Sequence, residues 1–348
     1  MIGHLATVTA QAVRDRRRPA GEVPARVDQL DPARLSSLLG KRVDTVTRTG
    51  GSEGTTDRAV LALTGDDVPA SLFAKTAPAI TGARVFGALA GLGQNEVGFY
   101  RELRDRITVE APRCHAARFD PATGRHVLLL EDLSARGCTF VDVLSPLTPD
   151  QAAAGLETLA QVHAPYWGKA PTWVPTNGRD PNLPLIALAL RPLAKRIPPE
   201  LLPPQGRDIL RRYRQIALDL DSGPHTLLHG DPHPGNLYLA GDRVGLLDWQ
   251  VLRRGNALRD VTYFLVLGLD TATRQAHQHA LLEHYLDALA GHGGPRLRPD
   301  RAWSDVRRMT AYVYTATAFT AGLGGLQEDG IAAAGLRQAT AALLELTG

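Results

Sequence analysis

Apolar positions change their spacing along this chain. Between Val43 and Leu130 they alternate or form short runs, and Val43–Arg48, Ala59–Leu63, Ser71–Lys75 and His126–Leu130 read as strands. Within this stretch Glu96, Phe99, Tyr100 and Leu103 stand at helical spacing, so a helix is expected with one carboxylate on its apolar stripe. From Thr148 onward the spacing is mostly helical. Helices are expected up to His163, over Arg207–Leu220, from Val261 through Leu265, and over Thr271–Leu289, Ala302–Leu323 and Ile331–Leu346.

Local signals sharpen several ends. Asp31-Pro32 opens a short helix that Gly40 closes, and Thr148-Pro149-Asp150-Gln151 is a capping box with proline at the first helical position. Residues 1–33 have weak periodicity and read as an arm with one short helix. Residues 168–206 are proline-rich, and Leu185–Leu193 is expected to be irregular. No internal repeat is apparent.

A chain of 348 residues with 44% hydrophobic residues can bury a sizeable core and suggests two lobes. The net charge of +3 is small, and the basic run Arg14–Arg18 reads as a solvated tail, so nucleic acid is not an expected partner. Cys114 and Cys138 form no C-x-x-C pair and suggest no disulfide framework. With neither a signal-peptide core nor a membrane-length apolar window, the expected location is the cytoplasm.

The chemistry concentrates in His229-Gly230-Asp231-Pro232-His233-Pro234-Gly235-Asn236, followed by a hairpin over Asn236–Ala240 and Val244–Asp248 that turns at Gly241-Asp242. Asp231 precedes Asn236 by five residues, and Asp248 follows Asn236 by twelve. This layout can bring one carboxylate to a substrate hydroxyl and set an amide oxygen and a second carboxylate on a hard cation such as Mg²⁺. It matches the order of the protein-kinase catalytic loop and metal-binding aspartate. Upstream, Lys75 shares a strand face with Phe73, and an inward Glu96 needs a cation, since an unpaired buried carboxylate is costly.

With Gly230 in place of arginine and Asp248-Trp249-Gln250 as the second motif, the chain resembles the aminoglycoside phosphotransferase and choline kinase-like family. Leu159-Ala160-Gln161-Val162-His163-Ala164 followed by Trp167 is similar to a helix of its ecdysteroid kinase-like hydroxyl-kinase branch. The resemblance runs from about Leu39 to the C-terminal helices. It implies an α+β, bilobal protein-kinase-like fold: an arm over 1–33, a nucleotide-binding lobe over 34–132 with an antiparallel sheet plus helix, and a larger, mainly helical lobe over 133–348. It implies ATP as cofactor, with GTP as the alternative nucleotide, and Mg²⁺. Asp231 becomes the catalytic base, Asn236 and Asp248 the metal ligands, and Lys75–Glu96 the pair that positions the phosphates. By position, Gly50, Gly51, Ser52 and Thr55 in the Thr49–Thr56 hairpin would cover the phosphates. Glu131 and Leu133 would meet the adenine edge through backbone groups. His233 is a candidate for substrate contact, His229 for bracing the loop, His163 for a core histidine, and Asp260 for a helix N-cap that braces the active-site loops.

Two other readings use the same residues. One is a nucleotide-binding pseudokinase or regulator, against which the full set Lys75, Glu96, Asp231, Asn236 and Asp248 speaks. The other is a metal-dependent hydrolase whose ligands are His229, Asp231 and His233. For the acceptor, the excess of basic over acidic residues between Gly168 and Leu220 and the Leu, Ala and Tyr content of the C-terminal helices disfavour a polycationic aminoglycoside. A neutral, apolar or anionic small-molecule alcohol is expected instead.

Overall fold

β-branched and leucine-rich alternation in the first part of the chain builds one antiparallel sheet. In the computed structural model, which describes residues 2–17, 21–53, 56–78, 80–178, 180, 182–324 and 327–347, its strands are β1 (Val43–Glu53), β2 (Asp57–Gly65), β3 (Ser71–Thr76), β4 (Cys114–Phe119) and β5 (His126–Glu131). They lie in the order β1-β2-β3-β5-β4. Leu61, Leu72, Ala74, Val127 and Leu129 point to one face, where they pack with Leu35 and Leu38 of helix α2 (Pro32–Leu39). Each such leucine or valine contributes roughly 1.5–3 kcal/mol by burial. Asp31 caps α2 by accepting from the Arg34 amide, and Gly40 ends it in the left-handed conformation.

Three expectations for this part are corrected. The first two strands reach further than their apolar alternation, because backbone pairing continues through Gly50↔Val60, Gly51↔Ala59 and Ser52↔Arg58 after a bulge between Arg48 and Gly50. Most of the expected Thr49–Thr56 loop is therefore ladder. Residues 2–17 form a long helix, α1 (Ile2–Arg17), rather than an arm with a short one. Its Asp15 is buried and pairs with Arg84 of α3 (Thr81–Ala90) and with Arg125. The helix expected over Asn95–Leu103 is α4 (Leu92–Gly98) running into a π-helical turn, Phe99–Leu103.

The later part is mainly helical: α5 (Pro149–His163), α6 (Leu183–Leu193), α7 (Pro204–Leu220), α8 (Leu258–Gly268), α9 (Thr271–Gly291), α10 (Pro299–Leu323) and α11 (Asp329–Thr347). The capping box of α5 is present as Thr148 and Gln151 exchange hydrogen bonds. The Leu185–Leu193 stretch is helix α6, not irregular chain, since Leu183 and Leu190 bury against Leu210 and Tyr213 of α7 and Tyr314 of α10. Every residue of α8 is buried, polar ones included, which marks it as the central helix of this part. Short strands complete it: β6 (Thr139–Phe140), β8 (Leu237–Ala240) and β9 (Arg243–Leu246) form one sheet, while β7 (Thr226–Leu228) pairs with β10 (Arg253–Gly255).

Contacts divide the chain into two units, Met1–Arg106 with Ala111–Cys138, and Ile107–Glu110 with Thr139–Gly348. Glu110 belongs to the second because the β8–β9 hairpin holds it: Tyr238 donates to its carboxylate at 2.7 Å, Arg243 pairs with it at 2.7 Å, and the Leu246 amide donates to its carbonyl. Among the described residues no helix is long and apolar enough to cross a membrane.

Candidate active site

In the sheet unit, alternation along β3 puts Leu72 and Ala74 in the core and Lys75 on the other face. There Lys75 Nζ meets Glu96 Oε2 of α4 at 2.7 Å, with the two side chains 4% and 2% exposed. A buried pair of this kind holds because each charge satisfies the other; removing one partner typically costs about 3–5 kcal/mol. Asn95 and Val97 are buried beside Glu96, and α4 packs on β4 and β5, so the carboxylate sits on a supported helix.

The other residues expected in this unit are placed as follows. Gly50 and Gly51 are paired in the ladder, and Gly51 has φ +145°, where a Cβ would collide with the Arg58 carbonyl oxygen. Ser52 continues the same strand, and Thr55 lies outside the described residues. Glu131 ends β5, its amide donating to the Arg113 carbonyl at 2.8 Å and its carboxylate accepting from the Arg113 amide at 3.1 Å. Leu133 is buried, and its carbonyl accepts from the Cys138 amide.

In the helical unit, β7 delivers the chain into a loop that is almost entirely cross-braced. His229 Nε2 donates to the Leu247 carbonyl at 2.7 Å, and its Nδ1 accepts from the Asp231 amide at 3.3 Å. These two bonds fix the neutral tautomer, in line with burial lowering the His229 pKa against the pull of Asp260 and the Leu247 carbonyl. They also engage both ring nitrogens, so His229 has no lone pair for a metal. The described residues contain no cluster of three or more His, Cys, Asp or Glu able to hold a metal ion. The hydrolase reading loses its ligand set.

Gly230 follows with φ +90°, and a Cβ there would collide with the Val251 carbonyl oxygen. That close approach explains glycine at a position where kinases carry arginine. Asp260 supplies the brace beneath it: its carboxylate accepts from the His229 amide at 2.7 Å and the Gly230 amide at 3.1 Å. Burial alone would raise the Asp260 pKa; the hydrogen bond and charge of His163, with Arg259 and His229, bring it below the usual carboxylate range. Asp260 thus braces the loop as expected, but from inside α8, whose N-cap position is Ala257. His163 is fully buried with Nδ1 2.8 Å from the Tyr285 hydroxyl and Nε2 3.5 Å from Asp260, so this core histidine also orients the brace.

The loop then brings Asp231 and Asn236 together. The Asn236 amide nitrogen donates to the Asp231 carbonyl at 2.9 Å and to its Oδ2 at 3.2 Å. This spends the amide donor inward and leaves the amide oxygen for a cation. The Asp231 side chain is 25% exposed, and His233 Nε2 stands 3.7 Å from its Oδ2. Burial raises the Asp231 pKa, opposed by His233, the Tyr263 hydroxyl and His229 and assisted by the charge of Asp248. His233 Nδ1 accepts from the Gly235 amide at 3.0 Å, so Nε2 carries the hydrogen and faces Asp231. Asp248 follows β9 with φ 59° and ψ 68°, a strained conformation for a non-glycine residue. It is held from both sides. Leu247 donates to the Asn236 carbonyl at 2.8 Å, and the fully buried Trp249 ring packs on His229 with centroids 4.6 Å apart.

Sequence reading missed two contributors. Tyr263 and Tyr312 both address the loop: Tyr263 is directed at the Asp231 carboxylate, and Tyr312 donates to the Gly230 carbonyl at 3.0 Å. Their helical positions look like ordinary core aromatics, and only the tertiary arrangement turns their hydroxyls toward Asp231 and Gly230.

An antiparallel sheet carrying a buried lysine–glutamate pair, together with a helical unit carrying an Asp-x-x-x-x-Asn loop and an aspartate after the next hairpin, defines a protein-kinase-like protein. Comparison with solved structures agrees on the fold. A choline kinase from Cryptosporidium parvum Iowa II is 11% identical over 91% of this chain and 92% of that one, with a TM-score of 0.57. A choline kinase from Streptococcus pneumoniae is 14% identical over 90% and 96%, with a TM-score of 0.51. The GDP complex of an aminoglycoside 2'-phosphotransferase variant is 13% identical over 91% and 99%, with a TM-score of 0.53. No curated protein matches the sequence. The sequence profile of the phosphotransferase enzyme family matches residues 47–299, and the chain belongs to that family.

Proposed function

We propose that this protein transfers the terminal phosphoryl group of ATP to a hydroxyl of a small molecule, with Asp231 as catalytic base. The observation that carries the reading is the Asp231–Asn236 arrangement, in which the amide donors of Asn236 orient the Asp231 carboxylate. Asp231 accepts the hydroxyl proton, and its burial-raised pKa makes it a better acceptor than an ordinary aspartate. Lys75, held by Glu96, sets the nucleotide phosphates, and the glycines of β1 and the backbone after β5 contribute to nucleotide binding.

The donor set suits Mg²⁺: one amide oxygen and one carboxylate, Asn236 and Asp248, with no cluster of three acidic, His or Cys ligands among the described residues. That ion takes few protein ligands and completes its shell with phosphate oxygens and water. When bound, it neutralises charge on the transferring phosphoryl group. The strained backbone at Asp248 fits a carboxylate held in place for such a partner.

The choline kinases and the aminoglycoside phosphotransferase above act on small molecules by their names, which supports a small-molecule acceptor here. A polycationic aminoglycoside is disfavoured by the sequence charge. The chemistry calls for a nucleotide-rich compartment such as the cytoplasm, and requires neither nucleic acid nor a membrane.

The test is thermal unfolding with ATP or GTP, each with and without Mg²⁺. Nucleotide at ~100 times its dissociation constant stabilises by about 2.7 kcal/mol, and Asp248→Ala is expected to remove the Mg²⁺-dependent part of the shift. No shift with either nucleotide would overturn the proposal. A shift without turnover on any acceptor would favour a nucleotide-binding regulator.

A further inference from the structure

Resting on the phosphotransfer reading, we infer that Tyr312 of α10 is a positioning residue, whose hydroxyl clamps the peptide group between Gly230 and Asp231 and so sets where the Asp231 carboxylate points. The hydroxyl donates to the Gly230 carbonyl at 3.0 Å. The other end of the same peptide group, the Asp231 amide, donates to His229 Nδ1 at 3.3 Å. A peptide group is planar, so holding its oxygen and its nitrogen together fixes the plane from which the Asp231 Cα departs. One peptide earlier, the Gly230 amide is held by Asp260 at 3.1 Å. Between these two planes stands a glycine at φ +90°, whose backbone has no Cβ to restrict its rotation. Downstream, the Asn236 amide ties the Asp231 carbonyl and Oδ2. Asp231 is thus held on both sides, and the upstream tie to the carbonyl comes from a distant helix.

The Tyr312 ring is itself held. Arg259 and Tyr263 are four residues apart on α8 and so share a face, and Tyr312 packs against both. The Arg259 guanidinium lies 4.6 Å from the Tyr312 ring centroid, and the Tyr263 ring lies 5.8 Å away, tilted by 50°. Arg259 is 2% exposed, and none of its three guanidinium nitrogens has a hydrogen-bond acceptor among the described residues. A desolvated cation gains most from an aromatic face. With those nitrogens closed to solvent, Arg259 pins the ring rather than binding an anion. Burial raises the Tyr312 pKa, against the opposing charge of Arg259, so the phenol stays protonated and remains a donor.

Helix α10 carries its own control. Two residues further on, the Tyr314 hydroxyl donates to the Leu201 carbonyl at 2.9 Å, the same kind of bond made within the α6, α7 and α10 core. Tyr312→Phe and Tyr314→Phe each delete one hydroxyl and keep the ring. Both are compared with wild type by ADP release from ATP and Mg²⁺, with water and with glycerol as acceptors. The KM for ATP, the Tm shift given by Mg²⁺ and ATP, and hydrogen exchange at residues 229–231 are measured alongside.

Tyr312→Phe is expected to lower kcat by about 10²-fold, as a misplaced reacting group does, with the KM for ATP and the Tm shift unchanged. Exchange of the Asp231 amide should quicken by about fivefold, the effect of losing one hydrogen bond. Tyr314→Phe is expected to leave both kcat and that exchange at the wild-type level. Equal losses of kcat in the two variants would overturn the inference, as would a Tyr312→Phe variant with unchanged kcat or unchanged Asp231 exchange. Those results bear on Tyr312 alone and leave the phosphotransfer reading standing. If wild type gives no Tm shift with Mg²⁺ and ATP and releases no ADP, the phosphotransfer reading fails, and this inference falls with it.

Discussion

Asp231 is the residue whose chemistry is most sharply predicted by its surroundings. Burial holds its pKa above the ordinary aspartate value, and the Asn236 amide fixes its carboxylate. Asp231→Asn keeps the shape and removes the base; kcat is expected to fall by about 10²–10⁴-fold while the Mg²⁺- and ATP-induced Tm shift persists. Because only the ionised carboxylate accepts a proton, activity is lost as pH falls through the raised pKa. The acid limb of kcat/KM should therefore have its midpoint above the ordinary aspartate value of about 3.9, and a midpoint at or below that value would contradict the assignment. Gly230 makes a different kind of prediction. Its φ of +90° and its contact with the Val251 carbonyl leave no room for a side chain. Gly230→Ala is expected to cost about 1–3 kcal/mol by chemical denaturation and to lower turnover by displacing Asp231.

At the scale of elements, one buried carboxylate ties helix α1 to its unit. Asp15 pairs with Arg84 on α3 and with the buried Arg125 next to β5, and Gln11 donates to the Pro121 carbonyl at 2.9 Å. Removing the carboxylate takes one ion-pair partner from the buried Arg125 and from Arg84. Asp15→Ala is expected to destabilise the sheet unit by about 3–5 kcal/mol, with hydrogen exchange rising first in α1; unchanged protection there would show the helix to be held by apolar contacts alone. Helix α8 works in a comparable way inside the other unit. Its complete burial positions Asp260 under the loop that holds His229, Gly230 and Asp231, and Tyr263 at its side, so one buried helix addresses both the backbone and the carboxylate of the candidate site.

Across the whole molecule, acid acts on the two units through different groups. His126 in the sheet unit is pushed down by burial from 6.5 to about 4. The unfolded chain therefore takes up a proton before the folded one does, and that unit loses stability as pH falls from 6.5 toward 4, by about 3 kcal/mol at ~1.4 kcal/mol per unit. In the helical unit Glu345 is brought to about 2: burial opposes ionisation, but hydrogen bonds from Arg274, Gln275 and Gln278 outweigh it. Its contribution is present above 4.5 and is lost only as pH falls toward 2. All 4 tryptophans, at 167, 173, 249 and 303, lie in the helical unit. Acid titration is expected to release hydrogen-exchange protection in β3 and β5 while tryptophan emission remains native. His126→Gln should flatten the upper part of that loss, and simultaneous loss of both signals in wild type would refute the assignment.

Much of the site was legible because its spacing is local. Asp231 and Asn236 are five residues apart in one short loop, and Asp248 follows by a hairpin, so a linear motif already encodes their proximity. Lys75 and Glu96 were legible for another reason: each sits on an apolar face where an unpaired charge is costly, so each implies the other. The capping box at Thr148 and the caps at Asp31 and Gly40 follow from hydrogen bonds within a few residues. The lengths of β1 and β2 were not legible, since ladder bonds through Gly50 and Gly51 need no hydrophobic side chains. Nor was the long helix α1, whose anchor is an ion pair to residues far away in sequence. Short-range spacing and the cost of buried charge thus determined the α+β class and the candidate catalytic set. Only tertiary structure decided that Gly230 packs against a carbonyl, that Asp260 braces from within a helix, and that Tyr263 and His233 both face the Asp231 carboxylate, because each depends on residues brought together in space by the fold.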